Sequence, residues 1–231
     1  MGEEWKRKLS IFLRGWGSSL LVAVLIATSF KSAIADWNDI PSGSMLPTIL
    51  IGDRVFVNKL AYDLKIPYTT LQIVKWSEPK RGDIVVFFSP KDGKRLIKRV
   101  VGLPGDTIAM RNDRLFINGQ SLRYGPPEKE IVDQIPPIEQ SRYIFLSEKL
   151  PGKQHTVMFA PSRPFQDSFE PMTIPAEKYF MMGDNRDNSA DSRVFGYVDR
   201  RLIVGRATMV VISREGSFLN PRWDRFFGDL S

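Results

Sequence analysis

Three stretches of this sequence bring reactive side chains together with unusual turn chemistry. The first is Ile40-Pro41-Ser42-Gly43-Ser44-Met45-Leu46-Pro47-Thr48. Glycine between two serines lets other groups approach the backbone closely, and the flanking prolines stiffen both sides. A serine held there can attack a carbonyl while a neighbouring N–H and hydroxyl point at the developing oxyanion. Alone, the stretch reads as an ordinary Ser-Gly turn.

The second stretch runs Arg95-Leu96-Ile97-Lys98-Arg99-Val100-Val101-Gly102-Leu103-Pro104-Gly105-Asp106. On a strand, Leu96, Lys98 and Val100 share one face and Ile97, Arg99 and Val101 the other. Lys98 then has apolar neighbours that desolvate it. Burial and the cations Arg95 and Arg99 are expected to lower its pKa together. A drop of ~3 units would give a usable base near neutrality, at a cost of ~4 kcal/mol. The third stretch, residues 183–193, packs Asp184, Asn185, Arg186, Asp187, Asn188, Ser189, Asp191 and Arg193 together directly after Tyr179-Phe180-Met181-Met182. As a calcium loop it fails, with Ala190 and Gly196 where glycine and glutamate are needed. It reads either as a solvated polar loop or as a hydrogen-bonded scaffold for another stretch.

Composition narrows the chemistry further. The 231 residues contain no cysteine, which excludes a disulfide framework, a thiolate zinc site and a cysteine nucleophile. One histidine, His155, argues against a multi-histidine metal centre. It lies in Pro151-Gly152-Lys153-Gln154-His155 and reads as a solvated turn, so the expected base for Ser44 is a lysine. Arg81-Gly82-Asp83 reads as the turn before a strand. The net charge of +7 is unevenly placed, with +2 in residues 1–14, +1 at Lys31 and +4 spread over residues 36–231. The rest is too mildly basic to argue for nucleic acid.

Elements that would position these groups follow from the patterning. Residues 15–30 carry no charge, and the apolar run reaches Ala35 if Lys31 snorkels. Those residues would span roughly 31 Å as a helix, about one hydrocarbon core. Lys6, Arg7, Lys8 and Arg14 precede the run, and Trp16 and Trp37 sit near its ends. The expectation is a single-pass anchor over 15–35 with its N-terminus, residues 1–14, in the cytoplasm. A cleaved secretory signal is the rival reading, because Ala33-Ile34-Ala35 is an A-x-A pattern.

Beyond the anchor the sequence reads as mainly β. Apolar or β-branched runs at 55–57, 84–88, 96–101, 115–118 and 202–212 are separated by Gly-Asp and Asn-Gly turns. Nine of the 16 prolines fall within residues 126–175, predicting loops and short edge strands. The expected architecture is an antiparallel β catalytic core from 36–110 and 176–213. A β-rich cap is inserted at 111–175, and an aromatic tail occupies 214–231.

Taken together and in order, these stretches closely resemble the type I signal peptidases, membrane-anchored Ser–Lys proteases. Ser42-Gly43-Ser44-Met45, followed by Pro47 and Thr48, is similar to the nucleophile box. Residues 81–87 resemble the strand that follows it. Lys98-Arg99, with Gly102, Pro104, Gly105 and Asp106, matches the lysine box, and residues 183–193 match the GDNRDNSxDSR box throughout. The resemblance implies Ser44 as nucleophile, Lys98 as general base, and an oxyanion hole from the Ser42 hydroxyl and the Ser44 N–H. It implies that Ser189 orients Lys98, that Asp191 and Arg193 hold the site, and that Arg99 and Asp184 form an ion pair. Shallow pockets at Ile40, Pro41, Met45 and Ile97 would admit small residues at −3 and −1 of a secretory preprotein, with no metal or cofactor. Preproteins, membrane lipid and the export machinery are the implied partners, and the plasma or inner membrane the implied location. Two departures stand out: a single candidate span, and no cysteine for a cap disulfide. The competing reading is a membrane-anchored extracytoplasmic β domain that binds a ligand and catalyses nothing.

Overall fold

The computed structural model describes residues 4–5, 15–162, 165–216 and 220–230. Lys6, Arg7, Lys8 and Arg14, and Phe218 and Leu219 of the tail, lie outside the described residues, as do the side chains of Trp16 and Lys31. Helix α1 (Trp16–Ala33) has 18 residues, about 27 Å of rise. Leu20, Leu21, Val22, Val24, Leu25 and Ile26 on it are all exposed. Among the described residues no helix is long and apolar enough to cross a membrane. The helix stops short of residue 35, because Ala35 already pairs with Asn58 in the sheet.

One antiparallel sheet organises the chain. Its strands lie in the order β1 (Ala35–Asp39), β2 (Asp53–Asn58), β16 (Ile203–Ser213), β5 (Ile84–Phe88), β6 (Arg95–Gly102), β14 (Lys178–Met182) and β15 (Val198–Asp199). From the tail, β17 (Gly228–Asp229) pairs with β16. The central strand β5 reads IVVFF because it is covered on both faces. Ile84 and Val86 join a cluster with Ile40, Met45 and Ile97, while Val85 and Phe87 join another with Val100, Met181 and Ile203. That alternation is the period of two expected of a strand. Each such side chain contributes roughly 1.5–3 kcal/mol on full burial.

Between β6 and β14 the chain builds two further sheets, and a hairpin of β3 (Asp63–Lys65) and β4 (Gln72–Lys75) precedes β5. One sheet orders β13 (Phe169–Thr173), β7 (Thr107–Arg111), β8 (Arg114–Ile117) and β9 (Gln120–Ser121). The other holds β10 (Arg123–Gly125), β11 (Ile144–Leu150) and β12 (Lys153–Phe159). The expectation of loops and short edge strands is corrected here, since β11 and β12 have seven residues each and pair along their whole length. The prolines fall between strands, as Pro151 does at the β11–β12 turn. Pro171 lies inside β13, where the register slips between Phe169 and Met172, and a bulge tolerates the missing N–H.

Candidate active site

Ser44 occupies a single 3-10 turn, Gly43–Met45, entered from an extended Ser42 at φ −132° and ψ 154°. Buried Met45, Ile49 and Leu50 draw this loop into the core. Asn185 pins it from the opposite side: its backbone N–H donates to the Ser44 carbonyl at 3.2 Å and its Nδ2 to the Gly43 carbonyl at 3.0 Å. Gly183 makes that approach feasible. A Cβ there would lie 2.4 Å from the Ser44 carbonyl oxygen and 2.3 Å from Ser189 Oγ.

Strand β6 carries Lys98 to the same place. Its Nζ lies 2.7 Å from Ser44 Oγ and donates to the Ile97 carbonyl at 2.9 Å. The residue is 3% exposed. Burial pulls its pKa from 10.5 down to about 8, against the opposing fields of Asp191 and Asp184. The expected help from Arg95 and Arg99 is absent, because each is paired. Arg95 Nη1 donates to Asp36 at 2.8 Å. Arg99 grips Asp184 with two bonds of 2.9 and 2.7 Å, both residues almost wholly buried. Desolvation alone therefore lowers the amine's pKa.

Loop 183–193 braces both groups. Asp184 is held ionised by Arg99 in spite of its burial, and it accepts from Thr48 Oγ1 at 2.6 Å, which ties β6 to the serine loop. Asp191 accepts from the Gly183 N–H at 3.1 Å. Arg193 donates to both Asp191 oxygens and to the Arg186 carbonyl. Ser189 Oγ is buried against Gly183 but has no hydrogen-bond partner among the described residues. Its implied bond to Lys98 is thus not formed in this structure. Of the candidate pocket residues, Ile40, Met45 and Ile97 lie buried in one cluster, and Pro41 is exposed. Ser42 is exposed and its hydroxyl does not cap the turn.

His155 requires correction. It lies on β12, 4% exposed, directly across from Glu148 of β11. Its Nε2 is 3.4 Å from Glu148 Oε1 and 3.7 Å from Asp184 Oδ1. Burial pushes its pKa down to about 3, so the ring is a neutral interior group. Sequence reasoning also missed Glu148, which binds Arg186 through bonds of 2.9 and 2.5 Å. Arg186 in turn donates from Nε to the Gly183 carbonyl at 3.2 Å. A buried ionic tie therefore joins β11 to the loop beside the Ser–Lys contact. The run of β-formers at 155–159 was a signal for β12, but no local signal pairs Glu148 with Arg186.

Comparison with known proteins extends over the same elements. The family model for signal peptidase, peptidase S26, matches residues 13–212. The chain is 37% identical over 210 residues to signal peptidase I of Pseudomonas aeruginosa, covering 86% of this chain and 72% of that one. It is 36% identical over 232 residues to signal peptidase I of Buchnera aphidicola subsp. Schizaphis graminum, covering 86% and 74%. Against signal peptidase I P of Bacillus subtilis subsp. natto it is 32% identical over 191 residues, covering 82% and 81%. Because one match spans the serine turn, the lysine strand and the loop that braces them, the chain belongs to the signal peptidase family, peptidase S26, and is a serine endopeptidase.

Proposed function

We propose that the protein removes N-terminal signal peptides from secretory preproteins through a Ser44–Lys98 dyad. The observation that carries this reading is the 2.7 Å contact between Lys98 Nζ and Ser44 Oγ. Neutral Lys98 accepts the Ser44 proton as the hydroxyl attacks the scissile carbonyl. The oxyanion lies against the Ser44 N–H and the Ser42 hydroxyl. The resulting ammonium protonates the leaving amine, and the amine then activates water to release the acyl-enzyme.

The sheet supports a binding mode for the substrate. β14 pairs with β6 only at Arg99, Val100 and Gly102, so 95–98 has no strand neighbour on that side among the described residues. An extended preprotein adds there as a strand. Ile40, Met45 and Ile97 are almost wholly buried in one cluster, and we read the ground above them as a shallow floor. Small side chains at −1 and −3 fit it. The sequence run 15–35, longer than α1 alone and following a basic leader, is the segment we assign as a single anchor in the plasma or inner membrane, with the leucines and valines of α1 turned outward. The catalytic domain then lies on the extracytoplasmic face, where the export machinery delivers chains.

Incubating the full chain in detergent with a preprotein bearing Ala at −3 and −1 tests the reading. Release of the signal peptide at that bond is expected, and its loss when −1 becomes Trp. Equal cleavage of both substrates would refute the specificity.

Two further outcomes follow. The kcat/KM should rise about tenfold per pH unit up to about 8 and then level off, since only the neutral amine is a base. A flat profile from pH 6 to 9 would remove Lys98 as the base. Neutral Lys98 has two N–H bonds, one engaged by Ile97, and we assign the other in the reacting complex to Ser189 Oγ, which has no partner among the described residues. Ser189→Ala should then slow kcat about tenfold, the worth of one orienting hydrogen bond. An unchanged kcat would take Ser189 out of that role.

A further inference from the structure

A cavity of about 480 Å³ opens beside the end of α1, and Ala33 forms part of its wall. Lys59, Lys65, Arg95 and Arg201 line it with the hydroxyl-bearing Thr69 and Thr70. No carboxylate is among its described lining residues. The cations have partners behind the wall: Asp36 takes both Arg95 and Lys59, Asp63 takes both Lys65 and Arg200, and Asp199 takes Arg201. Asp36 and Asp63 thus each serve two cations, and Arg200 binds Glu78 as well. Arg95 shows the imbalance most directly. Its Nη1 reaches Asp36, but Nε and Nη2 are shielded from water and have no partner among the described residues. Lys65 is held below its ordinary pKa by burial, with Arg200 and Lys59 acting in the same sense against Asp63. Four cationic side chains about one cavity, with no carboxylate among its described lining residues, suit an oxyanion.

The surroundings of the cavity indicate which oxyanion. The β3–β4 hairpin that supplies Lys65, Thr69 and Thr70 exposes Ile66, Tyr68, Leu71, Ile73, Val74 and Trp76. So many large apolar side chains on one exposed hairpin mark a surface that meets something other than water. We propose that this cavity binds the phosphate of an anionic phospholipid headgroup while the hairpin's apolar side chains rest among the acyl chains. The assignment rests on the anchor reading, which puts Ala33 at the level of the headgroups. It concerns a cavity that neither Ser44 nor Lys98 lines, although Arg95 on its wall also begins the strand edge assigned to the preprotein. A zwitterionic choline headgroup brings a fixed cation into a wall of four others and is disfavoured.

The test titrates the full chain in non-ionic detergent with soluble dihexanoyl lipids, following hydrogen-exchange protection of residues 59–71. Dihexanoyl phosphatidylglycerol should bind saturably, at least tenfold more tightly than dihexanoyl phosphatidylcholine or inorganic phosphate. Arg201→Glu, at an exposed side chain, should weaken it tenfold or more with an unchanged Tm, and Arg201→Lys should restore it. Arg95→Gln is the second variant, with the same expected loss. Equal binding of the two lipids, or wild-type binding by both Arg201→Glu and Arg95→Gln, overturns the proposal. Inorganic phosphate binding as tightly as phosphatidylglycerol overturns the lipid assignment in favour of a free-phosphate site. Alkaline carbonate extraction from phosphatidylcholine vesicles reads the anchor separately. Release there refutes the anchor alone, and the soluble-lipid titration still decides the cavity.

Discussion

Ser44→Ala is expected to abolish preprotein cleavage, lowering kcat/KM by at least roughly 10⁴-fold, the scale seen when the nucleophile of a serine protease is removed. The change deletes one oxygen whose recorded side-chain partner is Lys98. The loop keeps its other restraints, namely the two bonds from Asn185 and the buried Met45 and Ile49. The variant should therefore fold with a Tm near that of the wild type and still bind a signal peptide. A cleavage assay paired with peptide binding separates the outcomes. Wild-type turnover by this variant would remove the dyad and favour a non-catalytic domain.

Lys98 offers the second large effect, and two substitutions move stability in opposite directions. Lys98→Met and Lys98→Arg should both lose roughly 10³-fold or more in activity. Methionine has no basic nitrogen, and a guanidinium stays protonated. The Lys98 pKa falls from 10.5 to about 8 on folding. Below pH 8 both folded and unfolded chains hold the proton, and the fold bears the full cost of a buried charge, about 3 kcal/mol. Between pH 8 and 10.5 the folded chain alone gives up the proton, so the cost fades as pH rises. Lys98→Met should accordingly be more stable than wild type by up to about 3 kcal/mol at pH 7, an advantage gone near pH 10.5. Lys98→Arg retains a buried cation and should be less stable than wild type at every pH. Denaturant midpoints at pH 7 and 10 check both signs. A Met variant less stable than wild type at pH 7 would contradict a desolvated lysine.

The groups at the site were legible because each depends on local grammar. Gly43 between serines, the alternation around Lys98 and the polar run after Met182 are features of a few consecutive residues. The central strands were legible for the same reason, β5 residue for residue. What the sequence hid is long-range. Glu148 and His155 become buried neighbours only through the β11–β12 register. Proline counting misled because prolines that end strands look, in a list, like prolines that forbid them. The cause of the Lys98 shift was half legible. Apolar neighbours on its face could be read from the sequence, but Asp36 and Asp184, which neutralise Arg95 and Arg99, are brought in by folding.

The open flank of β6 from 95 to 98 also bears on how its guests can evolve. In the proposed binding mode, main-chain amides and carbonyls hold any extended visitor and read none of its letters. Four residues of free edge, with Lys94 before them and Arg95 and Lys98 among them, are too short and too charged to template stacking between copies of the enzyme. On that proposal, discrimination is left to the room above a few buried apolar residues. Export sequences could then drift almost everywhere and still be recognised, while a single bulky residue beside the cut is expected to end recognition.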